Sequence, residues 1–180
     1  LQWETNTAGL WRVSKACLPL LRRSGPGATI VQISSILGRI ALPLGGAYAA
    51  SKFAVEALSD SMRIEVARWG VRVVVVEPGP IATRFSENAR AIFDAERMMR
   101  SPYAPLYQAL LDDYGQRKRW SELPAEAVAD VIVRAIHARR PQARYLVTST
   151  AILVAWFKRF APDRLLDYFA LRYIQRKTRR

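Results

Sequence analysis

The sequence predicts an α/β chain, with helices crossing over a parallel sheet. Helical and strand-like stretches alternate along it, the order expected of strand–helix–strand crossovers. The strongest strand, "VRVVVVEPGP" at 71–80, holds four consecutive valines. A strand apolar on both sides is one whose two sheet faces are both covered, as in a parallel sheet. Gly and Pro breakers separate these stretches, in "SGPG" at 24–27, at Gly70 and at Pro78–Pro80.

Taken in order, residues 1–23 carry helix-spaced apolar positions at Leu10, Val13, Cys17, Leu20 and Leu21, with Pro19 straining the last part. "ATIVQIS" then reads as a short β-branched strand, and residues 35–46 as a loop rich in Gly and Pro. A long helix is expected from about Ala47 to Trp69, stopped by Gly70. After the valine strand, 84–122 is polar, irregular and partly helical, in the manner of a lid. "PAEAVADVIVRAIHARR" reads as an amphipathic helix opening on a proline, "ARYLVTS" as a third strand, and the remainder as two helices broken at Pro162. Three strands make a small sheet whose first strand keeps a bare edge, and a chain that opens mid-pattern reads as a piece of something longer.

Composition narrows the function. Apolar residues make up 51% and charged residues 24% of the 180, a globular balance with enough apolar side chains for a core. The single Cys17 excludes an internal disulfide and fits a reducing, cytoplasmic setting; its apolar run predicts a buried, inert thiol. The net charge of +13 raises nucleic acid and anionic membranes as partners. No nucleic-acid motif accompanies the charge, and no like-charge run exceeds the "RKR" at 117–119, so nucleic acid is set aside. No apolar stretch is long enough to span a bilayer, and "LQWETNTAGLW" lacks the pattern of a signal peptide. His137, the only histidine, is read as structural, and Glu77 as a solvated or loop-bonded strand end.

Chemistry concentrates at Tyr48 and Lys52. Four residues apart on a helix, they point the same way. An ammonium about 5 Å from a phenolate, at an effective dielectric near 20, favours the ionised phenol by roughly 3 kcal/mol. That is about two pK units, enough to bring a phenol towards proton exchange at neutral pH. Such pairs also arise by chance on exposed helices. Here, however, the pair follows a strand ending in "ISS", so it sits at the carboxyl edge of the sheet, where open α/β sheets bind ligands.

"IVQISS", the 13-residue step from Ser35 to Tyr48, "YAASK", "PGPIAT" after the valine strand, and "NTAG" at 6–9 together resemble the short-chain dehydrogenase/reductase family. The resemblance covers most of 1–150 and implies a Rossmann-type, doubly wound parallel sheet, of which this chain holds the C-terminal portion, with 84–122 as a substrate lid. It implies that Tyr48 is the catalytic acid/base and that Lys52 lowers its pKa and binds the nicotinamide ribose. Ser35 would polarise the substrate, and Asn6 would hold a water that links Lys52 to solvent. Pro78, Gly79, Ile81 and Thr83 would fix the nicotinamide of NAD or NADP, and Ser34, the competing serine, would be structural. The implied reaction is hydride transfer between NAD(P)(H) and a secondary alcohol or ketone. An apolar lining from Phe85, Phe93, Met98, Met99, Tyr103, Leu106 and Tyr107 would make that substrate lipophilic, unless these residues simply pack helices.

The family's glycine-rich phosphate loop does not occur in this sequence, which predicts that the chain alone is inactive and poorly soluble. In the family, helices matching 1–23 and 47–69 commonly form subunit contacts, so a homo-oligomer is expected of the parent. The alternative reading is a non-catalytic Rossmann-like protein used for binding or assembly, against which the intact set Asn6, Ser35, Tyr48 and Lys52 speaks. Residues 151–180 form a basic helical extension with eight Lys and Arg against two Asp. It reads either as a peripheral membrane contact or as a subunit-contact or core-covering segment with a solvated charged side.

Overall fold

A computed structural model describes residues 2–85, 87–88, 94–116 and 122–178. A π-helical turn, Glu4–Gly9, leads into α1 (Leu10–Arg23), then β1 (Thr29–Ile33), α2 (Gly46–Val66) and β2 (Arg72–Glu77). The short β3 (Ile81–Ala82), α3 (Ala95–Met99), α4 (Ala104–Gln116) and β4 (Leu123–Pro124) follow. The chain continues through α5 (Ala125–His137), β5 (Arg144–Leu146), α6 (Ser149–Phe160) and α7 (Asp163–Thr178). Phe93 and the "RKR" at 117–119 lie outside the described residues.

The main sheet has the order β1-β2-β5 and is parallel throughout, with Thr29 opposite Arg72 and Val75 opposite Arg144. β2 is central and its Val73–Val76 are buried, because helices cover both faces. On one face Val71 and Val73 meet Met62 and Val66 of α2, with Trp11, Leu18 and Leu21 of α1 beside them. By strand alternation Val74 and Val76 point the other way, where α5 buries Val131 and Ala135. Each buried valine contributes about 1.5–3 kcal/mol of hydrophobic stabilisation.

The predicted long helix is present, with its last residues tightened into a 3₁₀ turn, Ala67–Trp69. Gly70 ends it at φ 71°, where a Cβ would also collide with Pro26. α1 runs through Pro19 to Arg23, but it buries a different stripe from the one expected. Trp11, Ser14, Leu18 and Leu21 face inward, whereas Val13 and Leu20 are exposed. Cys17 lies on that outer stripe, so its thiol is exposed rather than buried. The helix carries two apolar stripes side by side, and spacing alone does not say which one the sheet will meet.

Candidate active site

The carboxyl ends of β1 and β2 position the site. β1 ends at Ile33. Ser34 N–H then donates to Val76 O, and the backbone leaves the sheet with Ser35 in an extended conformation. Ser35 caps the 3₁₀ turn Ile36–Gly38, its Oγ accepting from Leu37 N–H at 3.2 Å. Gly38 lets this turn lie against α2, since a Cβ there would stand 2.7 Å from Ser34 Oγ and 3.2 Å from Lys52 O. The buried Ser34 hydroxyl has no hydrogen-bond partner among the described residues.

Tyr48 stands in the first turn of α2 and Lys52 one turn on. Lys52 Nζ lies 5.8 Å from the centre of the Tyr48 ring and donates to Ile33 O at 3.0 Å. The ammonium is thus tied to the strand end while remaining beside the phenol. Burial lowers the Lys52 pKa, and the negative charge of Glu56, one turn further along α2, opposes that fall. The Phe85 ring lies against that of Tyr48, 5.4 Å between ring centres.

Asn6 sits in the π-helical turn rather than in regular helix. Its Nδ2 donates to Ser51 Oγ at 3.1 Å, and Ser51 Oγ donates to Tyr48 O at 2.7 Å. Thr7 Oγ1 adds a bond to Ser51 O at 3.2 Å. Asn6 is therefore joined to the tyrosine turn through Ser51, a residue the sequence reading did not single out. π-Helical turns occur often at functional sites because they widen the backbone locally.

On the opposite wall, Pro78 and Gly79 follow β2, and β3 pairs in parallel with β4, Ile81 opposite Leu123. Leu123 N–H donates to Pro80 O, and Thr83 Oγ1 accepts from Phe85 N–H at 3.3 Å. Gly79 lies close against the protein itself: a Cβ would overlap Thr148 Oγ1 and meet Ala151 at the start of α6. Thr148 is buried and caps α6 by accepting from Ala151 N–H.

Of the two readings of Glu77, solvated or loop-bonded, the loop-bonded one holds. It is fully buried, and Arg39 grips it with two hydrogen bonds of 2.7 and 2.9 Å. Arg144 of β5 approaches Glu77 to 3.3 Å while bonding Glu56 at 3.0 Å and Asp60 at 2.6 Å. Burial raises the Glu77 pKa, Arg39 and Arg144 oppose that rise, and the like charge of Glu56 adds to it. A carboxylate out of water persists only when paired in this way. The cluster ties together the serine loop, α2, the end of β2 and β5, the four segments that frame the site. Glu56 and Asp60 had a signal in the sequence, the spacing Tyr48–Lys52–Glu56–Asp60 along one helical face, and Glu77 had another in closing an all-valine strand. An open groove of about 580 Å³ along α5 and the end of β5, lined by Asp130, Val131, Arg134 and Val147, includes none of the predicted site residues.

The family profile described as short chain dehydrogenase matches residues 2–92. The chain belongs to the short-chain dehydrogenase/reductase family. Among relatives, "Uncharacterized oxidoreductase YbbO" of Escherichia coli K12 is 36% identical over 92% of this chain and 56% of its own length. The NADPH-dependent 3-dehydrocapnine reductase of Ornithobacterium rhinotracheale is 32% identical over 98% of this chain and 62% of its own. A Burkholderia cenocepacia short chain dehydrogenase, solved in complex with NADP, shares the fold with a TM-score of 0.68 at 24% identity, over 94% of this chain and 57% of its own. This short-chain dehydrogenase/reductase chain thus spans little more than half the length of the relatives it matches.

Proposed function

We propose that this chain is the proton-transfer part of an oxidoreductase that moves a hydride between NAD(P)(H) and a lipophilic secondary alcohol or ketone. The observation that carries the reading is Lys52, half-buried and held by Ile33 O, on one face of α2 with Tyr48 beside the loop of Ser35. The polar groups here fit the nicotinamide–ribose end of the dinucleotide: the Lys52 ammonium, the Thr83 hydroxyl and the backbone of Gly79 and Ile81, in a loop that Pro78 stiffens. The pyrophosphate calls for a glycine-rich turn that this sequence does not hold. When bound, the dinucleotide supplies or accepts the hydride.

In the direction of reduction, the Tyr48 hydroxyl gives its proton to the carbonyl oxygen as that oxygen becomes an alkoxide, and in oxidation it takes the proton back. Ser35 Oγ, free to turn from its cap bond, donates to the same oxygen and orients it. Lys52 stabilises the phenolate electrostatically, and Glu56 supports the protonated form of Lys52 against burial. Asn6 steadies the tyrosine turn through Ser51 and stands where it can pass protons outward through water. Phe85 on the Tyr48 ring supports an apolar substrate, as do the names of relatives that reduce or oxidise lipophilic molecules, such as a retinol dehydrogenase. Exposed Val13 and Leu20 of α1 and Phe53 and Ile64 of α2 support a homo-oligomer.

The test is turnover, followed by nicotinamide absorbance, of a panel of long-chain and cyclic secondary alcohols and ketones by the parent protein that carries these residues. Turnover in the presence of NADP(H) or NAD(H) is expected. Cofactor binding without turnover of any member would favour the binding-or-assembly alternative. The 180-residue chain alone should bind the dinucleotide worse than micromolar.

A further inference from the structure

The last two helices leave hydrocarbon in the open. On α6, Leu153, Trp156 and Phe160 are 70, 67 and 65% exposed, and their spacing of three and four residues puts them on one face. Trp156 and Phe160 lie 4.9 Å apart between ring centres, so the face is a continuous aromatic surface. Phe157 meets Phe169 of α7 at 6.0 Å, and Phe169 meets Tyr168 at 5.6 Å, which carries that surface across the hairpin. Monomeric soluble proteins rarely present so large a contiguous apolar patch without a partner for it.

We infer that the α6–α7 hairpin docks on an anionic lipid surface, lying in the plane of the headgroups. Charge selects this occupant. Residues 151–180 carry eight Lys and Arg against two Asp, and cations stand on the aromatic patch itself, with Arg159 5.9 Å from the centre of the Phe160 ring and Arg172 5.2 Å from that of Tyr168. A second copy docking on the same patch about a two-fold axis would bring these cations against their equivalents, which is unfavourable. An anionic headgroup layer over hydrocarbon satisfies both the basic and the aromatic components, the arrangement of interfacial helices. Among the described residues no helix is long and apolar enough to cross a membrane, so the hairpin lies on the surface.

The location of the hairpin matters for the chemistry. α6 starts where Thr148 and Ala151 press on Gly79 and then runs about 18 Å. Docking through α6 therefore sets the proposed site next to the bilayer, where a lipophilic alcohol or ketone dissolves. That consequence rests on the oxidoreductase reading, whereas the docking does not.

Flotation of the parent protein with vesicles of phosphatidylcholine containing phosphatidylserine, against phosphatidylcholine alone, tests the docking without cofactor or substrate. The wild type should float with the anionic vesicles and be released by salt. The triple variant Leu153→Glu, Trp156→Glu, Phe160→Glu should lose at least about tenfold in partitioning. Val133→Glu, an exposed apolar position on α5, and Tyr48→Phe should float like wild type, with circular dichroism checking that each variant is folded. No flotation of wild type with anionic vesicles would overturn the inference. Equal flotation of a folded triple variant would do the same, as would a concentration-dependent dimer abolished by the triple variant in a protein that ignores vesicles.

Discussion

Around the end of β2 this chain buries charge, whereas along α6 and α7 it exposes hydrocarbon. Both departures from the usual partition are costly, and each marks a place where geometry rather than stability sets the residue. Glu77, Arg39 and Arg144 hold the loop of Ser35, α2 and the end of β2 to one another through directional bonds. Apolar packing at the same place would fill space, but it would not fix angles so narrowly. Among the described residues Leu153, Trp156 and Phe160 make no side-chain hydrogen bond or ion pair, which suits a fluid partner such as a bilayer. One region specifies a rigid arrangement, and the other a non-specific surface.

Substitutions can break this contrast from either side. The largest loss of stability should come from Glu77→Ala, which leaves Arg39 without its carboxylate beside a buried gap; about 3–5 kcal/mol should be lost in urea unfolding. Gly79→Ala follows, because its methyl group must displace Thr148 or the loop, and about 1–3 kcal/mol is expected along with weaker nicotinamide binding. Serine at Leu153, Trp156 and Phe160 together should change stability by less than about 0.5 kcal/mol per position, since these side chains bury little within the chain. A large destabilisation there would mean that the patch is covered within the parent.

The smallest effect concerns acid. Burial raises the Asp60 pKa, but hydrogen bonds and charge from Arg144 and Arg63 outweigh it and hold the carboxyl below its ordinary 3.8. The folded chain therefore binds that proton less readily than the unfolded chain. The stability contributed by Asp60 is full above about pH 3.8 and is lost as pH falls through the lower folded value. Asp60→Asn should flatten that part of the acid limb in unfolding measurements, and an unchanged limb would mean that Arg144 holds its place through Glu56 and Glu77.

Local signals carried most of the fold. The valine run, Gly70 and the break at Pro162 each act over a few residues, and each landed where spacing and breakers placed it. Tyr48 and Lys52 were legible for the same reason, being one helical turn apart. The ion cluster was not, because its partners stand 38 and 88 residues apart in sequence and meet only when the sheet forms. A charged residue closing an all-valine strand was itself the clue that Glu77 is buried. α1 misled for another reason: Cys17 belongs to the stripe that the sheet leaves outside, and only the tertiary contact distinguishes the two stripes.

The central claim is that Tyr48 moves the proton while the rest of the site only positions and binds. Its most direct measurement is Tyr48→Phe in the parent protein, with turnover and dinucleotide affinity read on the same preparation. The account predicts that kcat falls by about 10²–10⁴ while the cofactor Kd stays within about threefold. Turnover within about threefold of wild type, with the cofactor still bound, would contradict it.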